Sequence, residues 1–180
     1  TPKNNVVDIT NFILHDIGQP LHSFDADKIE GDIIVKKSKK GTKFQTLDHN
    51  EVELSDEDLM ICDQNKPLCL AGIYGGKDSG VSKSTKSIFL ESAYFNAQTI
   101  RKSAKRHGFN TDASYRFERG IDPEICLIAL KRAVFLMAKY ANAVISSEIV
   151  EFQTPNEVPA KIFISYKQIN NTIGQDIPKE

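Results

Sequence analysis

The sequence lacks the long apolar run that a membrane span requires. No stretch approaches the ~18 consecutive apolar residues of a transmembrane helix, and no secretory signal is present. The chain has only three cysteines, an odd number in apolar contexts (Cys62, Cys69 and Cys126), which favours reduced, buried thiols over a disulfide framework. We therefore expect a cytoplasmic protein with no membrane partner. Because the chain begins with Thr1 and not Met, we also expect an excised fragment.

An excess of charge of one sign is also missing. The 23 Lys and Arg residues nearly balance the 24 Asp and Glu residues, which leaves a net charge of −1. Any contact with nucleic acid must therefore come from a local basic patch and not from a global field. The 40% hydrophobic and 26% charged content is typical of an ordinary globular protein, and 180 residues suffice for one domain and part of a second.

The familiar motifs of catalysis and metal binding are absent from the sequence. The glycine-rich stretch AGIYGGKDSG (71–80) lacks both the G-x-G-x-x-G spacing and the G-K-[ST] ending, which argues against a nucleotide-binding enzyme. The four histidines are scattered, so we expect no metal site. There is also no G-x-S-x-G elbow. Any chemistry is therefore expected to use water and not a protein nucleophile.

The order of local patterns predicts an α+β fold with a mostly antiparallel or mixed β-sheet core and flanking helices. Helical spacing over 6–17 ends at Gly18, and residues 32–95 contain short strand-like runs separated by turn residues, which favours antiparallel pairing. Asn96 is suited to cap a second helix that ends at Gly108.

The last sixty residues continue this pattern. Asp122-Pro123 is predicted to open a helix that continues to residue 141, and its apolar residues cover most of its circumference, so we expect it to be largely buried. Residues 143–152 are typical of a strand and 154–160 of a linker. Residues 161–180 are typical of one strand and the start of a helix that is cut off.

Glu91 lies within the apolar run SIFLESAYF, where an isolated charge is costly to bury. One interpretation is a carboxylate that lines a pocket and accepts a hydrogen bond from a ligand. The other is an ion pair with one of the arginines, or a position on an edge strand. The pattern alone favours the structural interpretation.

The segment RHGFNTDASYRFERGIDP (106–123) combines arginines with small and hydroxyl residues. Its basic residues and those just before it are candidates for phosphate contacts, or else for a solvated face with internal ion pairs. They are Arg101, Lys102, Lys105, Arg106, Arg116 and Arg119. Composition does not decide between the two. The small Thr111 and Ala113 leave room for a substrate, or simply form a loop before a helix.

Four segments together resemble one family. VVDITNFILHDIGQPLHSFD, AGIYGG, FLESAYF and RHGFNTDASYRFERGIDP are similar, in this order, to the B3/B4 editing domain of the bacterial-type phenylalanyl-tRNA synthetase beta subunit. The resemblance implies a B3/B4-like tRNA-editing domain over 1–155, followed over 156–180 by a linker and the truncated start of the next beta-subunit module. In that family the domain hydrolyses tyrosine wrongly esterified to the phenylalanine tRNA.

The same resemblance implies roles for individual residues. His22 matches the water-binding histidine and Asn11 its asparagine partner, which makes them the implied catalytic residues. Glu91 matches the glutamate that receives the tyrosine hydroxyl. The implied substrate-binding positions are Glu91, Gly72, Gly75, Thr10, Thr111 and Ala113.

The resemblance also implies partners. They are the 3′ end of tRNA(Phe) carrying tyrosine, and the synthetase alpha subunit in an alpha2-beta2 assembly. No cofactor is expected in this domain, whereas ATP and Mg²⁺ are expected for the whole synthetase. The alternative is a non-catalytic RNA-binding or assembly module of the same subunit.

Overall fold

The computed structural model describes residues 2–152 and 160–178. The chain divides into two compact units, residues 1–146 and 147–180. The predicted domain boundary after residue 155 and nearly all of the predicted linker, 154–159, lie outside the described residues. None of the helices in the described part is long and apolar enough to cross a membrane.

The first two helices of the first unit begin and end at the residues that the sequence predicts. Helix α1 (Asn5–Ile17) is capped by Asn4, whose side chain accepts a hydrogen bond from the Val7 amide, and it ends at Gly18 with φ of 78°. Helix α2 (Ala97–His107) is capped by Asn96 and ends at Gly108 with φ of 69°. Both predicted helices are confirmed.

The next two helices of this unit differ from the prediction. The segment around Thr111 and Ala113 is predicted to be a loop, but the structure forms helix α3 there (Asp112–Phe117). A reciprocal capping box between Thr111 and Ser114 fixes its start. Helix α4 (Ile125–Ala141) confirms the predicted helix but begins two residues after Pro123, with Glu124 and not Asp122 at its N-cap. The prediction that it is largely buried is wrong. It buries Ala129, Ala133 and Met137, whereas Ile128, Phe135 and Tyr140 are exposed. In the described residues, α4 packs mainly on α1 and on strand Ile88–Ser92, which cover one of its sides.

Within the described residues the strands form three separate antiparallel sheets, which confirms the α+β fold. A two-stranded ribbon pairs β1 (Leu21–Asp25) with β8 (Ile88–Ser92). A four-stranded sheet has the order β2-β5-β6-β7, with bounds Ile34–Lys37, Leu59–Cys62, Pro67–Leu70 and Tyr74–Gly75. A hairpin joins β3 (Lys43–Gln45) to β4 (Glu51–Glu53).

Two hydrophobic clusters lie against the ribbon of β1 and β8. One contains Phe24 together with side chains of the four-stranded sheet, α2 and α3. The other lies between α1 and α4 and includes Leu21 and Leu90. Because successive side chains of a strand alternate between its faces, the residues that share the face of Phe24 look toward the first cluster.

The second unit contains helix α5 (Tyr166–Ile173), which is the predicted helix start near the end of the chain. The strand predicted over 143–152 is wrong, as is the strand predicted just before α5, because no ladder forms in the described residues of these segments. Val144, Val150 and Phe152 are highly exposed. An apolar run becomes a strand only where a neighbouring strand pairs with it.

Candidate functional site

The register of the β1–β8 ribbon sets His22 directly opposite Glu91. Opposed residues of an antiparallel pair project to the same face, with their Cβ atoms about 5 Å apart. This face also carries Phe24, so both side chains look toward the cluster beneath the four-stranded sheet. Two residues that lie sixty-nine positions apart in the sequence thereby become neighbours.

His22 and Glu91 line one cleft at the end of this ribbon. The cleft is small, with a volume of about 60 Å³, which is well below the ≈ 300–1,000 Å³ typical of small-molecule sites. Its lining residues come from β1, β6, β7, β8, α3 and the segments beside them: Pro20, Leu21, His22, Cys69, Gly72, Ile73, Tyr74, Gly75, Glu91, Phe95, Ala113 and Phe117. The structure thus brings together five predicted site residues: His22, Glu91, Gly72, Gly75 and Ala113.

Both predicted glycines are needed for the close packing of this wall. A Cβ atom at Gly75 would lie 2.9 Å from Cε1 of His22 and 2.7 Å from a Leu47 methyl carbon. At Gly72, where φ is 67°, a Cβ atom would lie 2.9 Å from the Phe95 ring. Gly75 therefore allows the imidazole to pack directly on the backbone of the cleft.

Glu91 is a half-buried carboxyl group that has no hydrogen bond or ion pair in the part of the chain that the structure describes. Removal from water disfavours its charged form and raises its pKa to about 8. The ion pair with an arginine is not formed, whereas the other structural alternative, a position on an edge strand, is confirmed, because β8 belongs to the two-stranded ribbon with β1. At neutral pH the empty cleft therefore holds a largely protonated carboxyl group that is available to a ligand.

His22 is the second polar group of the cleft without a partner. Its Nε2 atom is buried and makes no hydrogen bond with the described residues. The imidazole contacts the buried Phe24 ring edge-on, with 4.4 Å between ring centroids. Burial lowers the pKa of His22 to about 4, so the ring is neutral at physiological pH.

Helix α3 supplies the opposite wall of the cleft. Ala113 lines it directly, while Thr111 does not belong to the lining and instead braces the helix. The Thr111 hydroxyl donates to the carbonyl of Ile73 at 3.0 Å and accepts from the Ser114 amide. Thr111 thereby ties α3 to the glycine-containing segment that carries Gly72.

The structure does not bring Thr10 and Asn11 to this cleft. Thr10 is buried within α1, where its hydroxyl donates to the carbonyl of Val7 at 2.9 Å. Asn11 is exposed on the same helix and forms no hydrogen bond with His22. The predicted partnership of Asn11 with His22 is therefore not formed, because their elements turn these side chains to different surroundings.

Most of the arginines near α3 are engaged in internal contacts. Arg106 pairs with Glu57 at 2.7 Å and also with buried Asp58, which additionally binds His107 at 2.6 Å and Ser103. These contacts attach α2 to the turn before β5 and favour a structural role for Arg106 over phosphate binding. Among the residues that the structure describes, no group of three His, Cys, Asp or Glu side chains could hold a metal ion.

Arg116 and Arg119 also have protein partners. Arg116 lies 3.7 Å from the carboxylate of Asp112. Arg119 pairs with Glu118 at 2.6 Å and stacks over the ring of Tyr115 at 3.5 Å. The internal ion pairs considered for this segment are therefore present.

Two residues that the sequence analysis did not single out support the His22–Glu91 pair. Pro20 has no amide hydrogen to donate across the ribbon, and the fully buried Gln19 donates from its side chain to the carbonyl of Ala93 at 2.9 Å instead. Leu47, which is 44% exposed, packs over Gly75 beside His22. The sequence feature that could have identified Gln19 is its place before Pro20 at the start of a strand. No feature of the sequence identifies Leu47.

Comparison with known proteins places this fold and cleft in a family. The family model of the B3/4 domain matches residues 1–142. The chain is 50% identical over 180 residues to the phenylalanine–tRNA ligase beta subunit of Bacteroides thetaiotaomicron, covering 99% of this chain and 22% of that protein. It is 44% identical over 177 residues to the same subunit of Aquifex aeolicus, covering 98% of this chain and 23% of that protein.

A solved structure supports the fold independently. An N-terminal fragment of the phenylalanyl-tRNA synthetase beta subunit from Pyrococcus horikoshii matches with a TM-score of 0.51 at 16% identity, over 96% of this chain and 51% of that one. The chain spans about a fifth of the length of the curated relatives that it matches. The chain belongs to the B3/4 domain family and resembles the corresponding segment of phenylalanine–tRNA ligase beta subunits.

Proposed function

We propose that this domain edits aminoacyl-tRNA by hydrolysing the ester of tyrosine wrongly attached to tRNA(Phe). The observation that carries the proposal is the pair of opposed side chains, His22 and Glu91, that share one cleft and have no partner among the described protein groups. Buried polar groups are normally satisfied, so two unsatisfied groups in a cleft favour a polar ligand. The aromatic and glycine-rich lining supports an aromatic amino acid as that ligand.

Selection for tyrosine follows from the environment of Glu91. A phenol hydroxyl donates a hydrogen bond to its carboxyl oxygen, whereas a phenylalanine ring leaves the carboxyl group covered and unpaired. That difference costs about 1–3 kcal/mol, which corresponds to about 5- to 150-fold in preference. A hydrophobic pocket that selects phenylalanine rejects an added hydroxyl by only ≈ 10²-fold, so a second site that reads this hydroxyl is useful.

Hydrolysis is assigned to a water molecule held near the ester by His22. An imidazole with a pKa of about 4 is a weak general base at neutral pH, because efficient bases have a pKa near the working pH. Its neutral ring is nevertheless a hydrogen-bonding group that orients water. We therefore assign His22 to water positioning, with proximity supplying most of the acceleration.

The wider setting follows from the same proposal. The domain acts within a synthetase beta subunit that assembles with an alpha subunit as alpha2-beta2, in the cytoplasm. Aminoacylation with ATP and Mg²⁺ belongs to the whole enzyme, and this domain works without a cofactor. Thr10 and Asn11 contribute through helix α1 and Thr111 through the bracing of α3, whereas Ala113 leaves volume for the aminoacyl group.

The test compares deacylation of Tyr-tRNA(Phe) and Phe-tRNA(Phe) by the complete synthetase and by its His22→Ala variant. The wild type should hydrolyse the tyrosyl ester preferentially, and His22→Ala should slow this reaction while tyrosine binding stays nearly intact. A non-catalytic RNA-binding module predicts no hydrolysis above the spontaneous rate. Wild-type synthetase with equal, background rates for both esters would refute the proposal.

A further inference from the structure

The turn between β3 and β4 is fixed against the glycine segment of the cleft. The Leu47 amide donates to the carbonyl of Gly75 at 3.0 Å, and the Lys77 backbone amide donates to the carbonyl of Gln45 at 3.0 Å. Thr46, which is fully buried, pairs with Gly76 across an isolated bridge. The turn is therefore an extension of the cleft wall and not a free loop.

Hydrogen bonds within the turn hold its shape. The Thr46 hydroxyl donates to the carboxylate of Asp48 and lies 3.0 Å from the carbonyl of Asn50. The Asn50 side chain donates to the other Asp48 oxygen at 2.7 Å. His49 completes the turn with φ of 66°, a left-handed conformation that is uncommon for a residue with a side chain. This network fixes the direction of Leu47.

Leu47 is an exposed apolar side chain that fits against two glycines. Its methyl carbons lie 2.7 Å from the Cβ position of Gly75 and 2.9 Å from that of Gly80. The same Cβ position of Gly75 lies 2.9 Å from Cε1 and 3.3 Å from Nε2 of His22. The leucine and the imidazole therefore meet over one glycine. Leu47 itself does not line the cleft, although it approaches the same Gly75 position as the imidazole.

We propose that Leu47 is a positioning residue that covers the edge of the His22 imidazole on the side of Gly75 and excludes bulk solvent there, while the side of the ring that faces the cleft stays open to the water held for hydrolysis. The buried Nε2 atom and the low pKa of about 4 agree with such a cover. Its role in hydrolysis rests on the proposed function, whereas the covering of His22 does not.

Other titratable groups also face His22 or its cover. They are Glu91 on β8, Cys69 on β6, Tyr74 on β7 and Asp48 in the turn. Burial raises the pKa of the Cys69 thiol and of the Tyr74 hydroxyl above their ordinary values, so both are neutral where His22 titrates. Only Asp48 is ionised near pH 5, because its hydrogen bond from Thr46 keeps its pKa low. The negative charge of Asp48 favours the protonated form of His22. Because the pKa of His22 is nevertheless lowered, the removal of the ring from water must have the larger effect on this pKa.

The test follows the C2 proton of His22 by NMR during a pH titration of this chain and of its Leu47→Ala variant. We expect Leu47→Ala to raise the pKa of His22 by about one unit or more toward its ordinary value, because water reaches the ring. Leu47→Met, which keeps the apolar volume, should restore the wild-type value. Ile34→Ala is the matched control, because Ile34 is a similarly exposed apolar residue on β2.

Two outcomes would overturn the proposal. One is an unchanged pKa of His22 in Leu47→Ala. The other is a rise as large in Leu47→Met or Ile34→Ala, which would indicate general loosening. In the complete synthetase, Leu47→Ala should also lower the rate of tyrosyl ester hydrolysis at pH 5.5, relative to pH 8, by about 1.3-fold if the pKa of His22 rises by one unit and by about twofold if it rises to near 5.5. A shifted pKa without any hydrolysis in the wild type would contradict the proposed function and leave the cover of His22 supported.

Discussion

Replacing Glu91 with glutamine is expected to remove a pH dependence of folding stability between pH 6.5 and pH 8. In the folded chain the pKa of Glu91 is raised to about 8, whereas an unfolded glutamate titrates near 4.5. Between these values the folded state binds the proton and the unfolded state does not. Unfolding then releases a proton, so the free energy of unfolding falls as pH rises, by at most about 1.4 kcal/mol per pH unit.

Above pH 6.5 the pH dependence of the free energy of unfolding comes mainly from Glu91 and little from His22. The folded pKa of His22 is lowered to about 4 from 6.5, so its contribution to stability rises with pH up to about 6.5 and opposes that of Glu91 there. The pKa of Asp58 and that of Asp63 are lowered below the ordinary aspartate value, so both act at more acidic pH. The contribution of Glu91 to the free energy of unfolding therefore falls by about 1–2 kcal/mol between pH 6.5 and pH 8.

The assay is urea unfolding at pH 6.5, 7, 7.5 and 8 for the wild type and for Glu91→Gln. The amide keeps the shape of a protonated carboxyl group but does not titrate. The free energy of unfolding of the variant should therefore no longer fall as pH rises. Glu124→Gln, at an exposed glutamate, is the matched control and should retain this fall. Equal slopes for the wild type and Glu91→Gln would refute the reasoning that Glu91 is neutral in the folded chain.

Two further predictions concern the walls of the cleft. Ala113→Trp should fill the cleft and reduce tyrosyl ester hydrolysis at least tenfold in a deacylation assay, whereas Tyr115→Trp, on the exposed side of α3, should leave the rate unchanged; equal rates for both would contradict the assigned wall. Gly75→Ala should destabilise the chain by about 1–3 kcal/mol in urea unfolding, because its Cβ atom would collide with His22 and Leu47. Adding Leu47→Ala should recover part of that loss, and no recovery would exclude a collision with Leu47.

Helices with clear end signals were predictable from the sequence. An asparagine cap and a closing glycine bound α1 and α2, and these groups act locally, within a few residues. Helix α3 was missed because six residues between Thr111 and Glu118 are too few to show a helical period. Its capping box between Thr111 and Ser114 was the local signal that was present.

Burial and strand pairing were less predictable, since both depend on distant parts of the chain. Helix α4 is apolar almost all round, yet among the described residues it packs mainly against α1 and β8, and Phe135 and Tyr140 remain exposed. The apolar run 143–152 pairs with no strand among the described residues and so forms none there. Strand β1 was overlooked, since its five residues follow the helix stop at Gly18 and Pro20 directly.

The candidate site was predictable as a set of residues but not as a geometry. The resemblance named His22, Glu91, Gly72, Gly75 and Ala113, and the structure brings these five to one cleft. It also named Thr10 and Asn11, which lie on α1 away from the cleft lining. The register of β1 against β8 makes His22 and Glu91 neighbours, and a single sequence does not contain that register.

Whether Glu91 selects the tyrosine hydroxyl is tested by the ratio of the deacylation rates of Tyr-tRNA(Phe) and Phe-tRNA(Phe). This ratio is measured for the complete synthetase and for its Glu91→Ala variant. Removing the carboxyl group removes both the acceptor for the tyrosine hydroxyl and the penalty against phenylalanine. The account predicts slower tyrosyl hydrolysis and a ratio that shrinks by about 5- to 150-fold, which corresponds to about 1–3 kcal/mol. A Glu91→Ala enzyme that keeps the wild-type ratio would contradict it and assign selectivity to another part of the cleft.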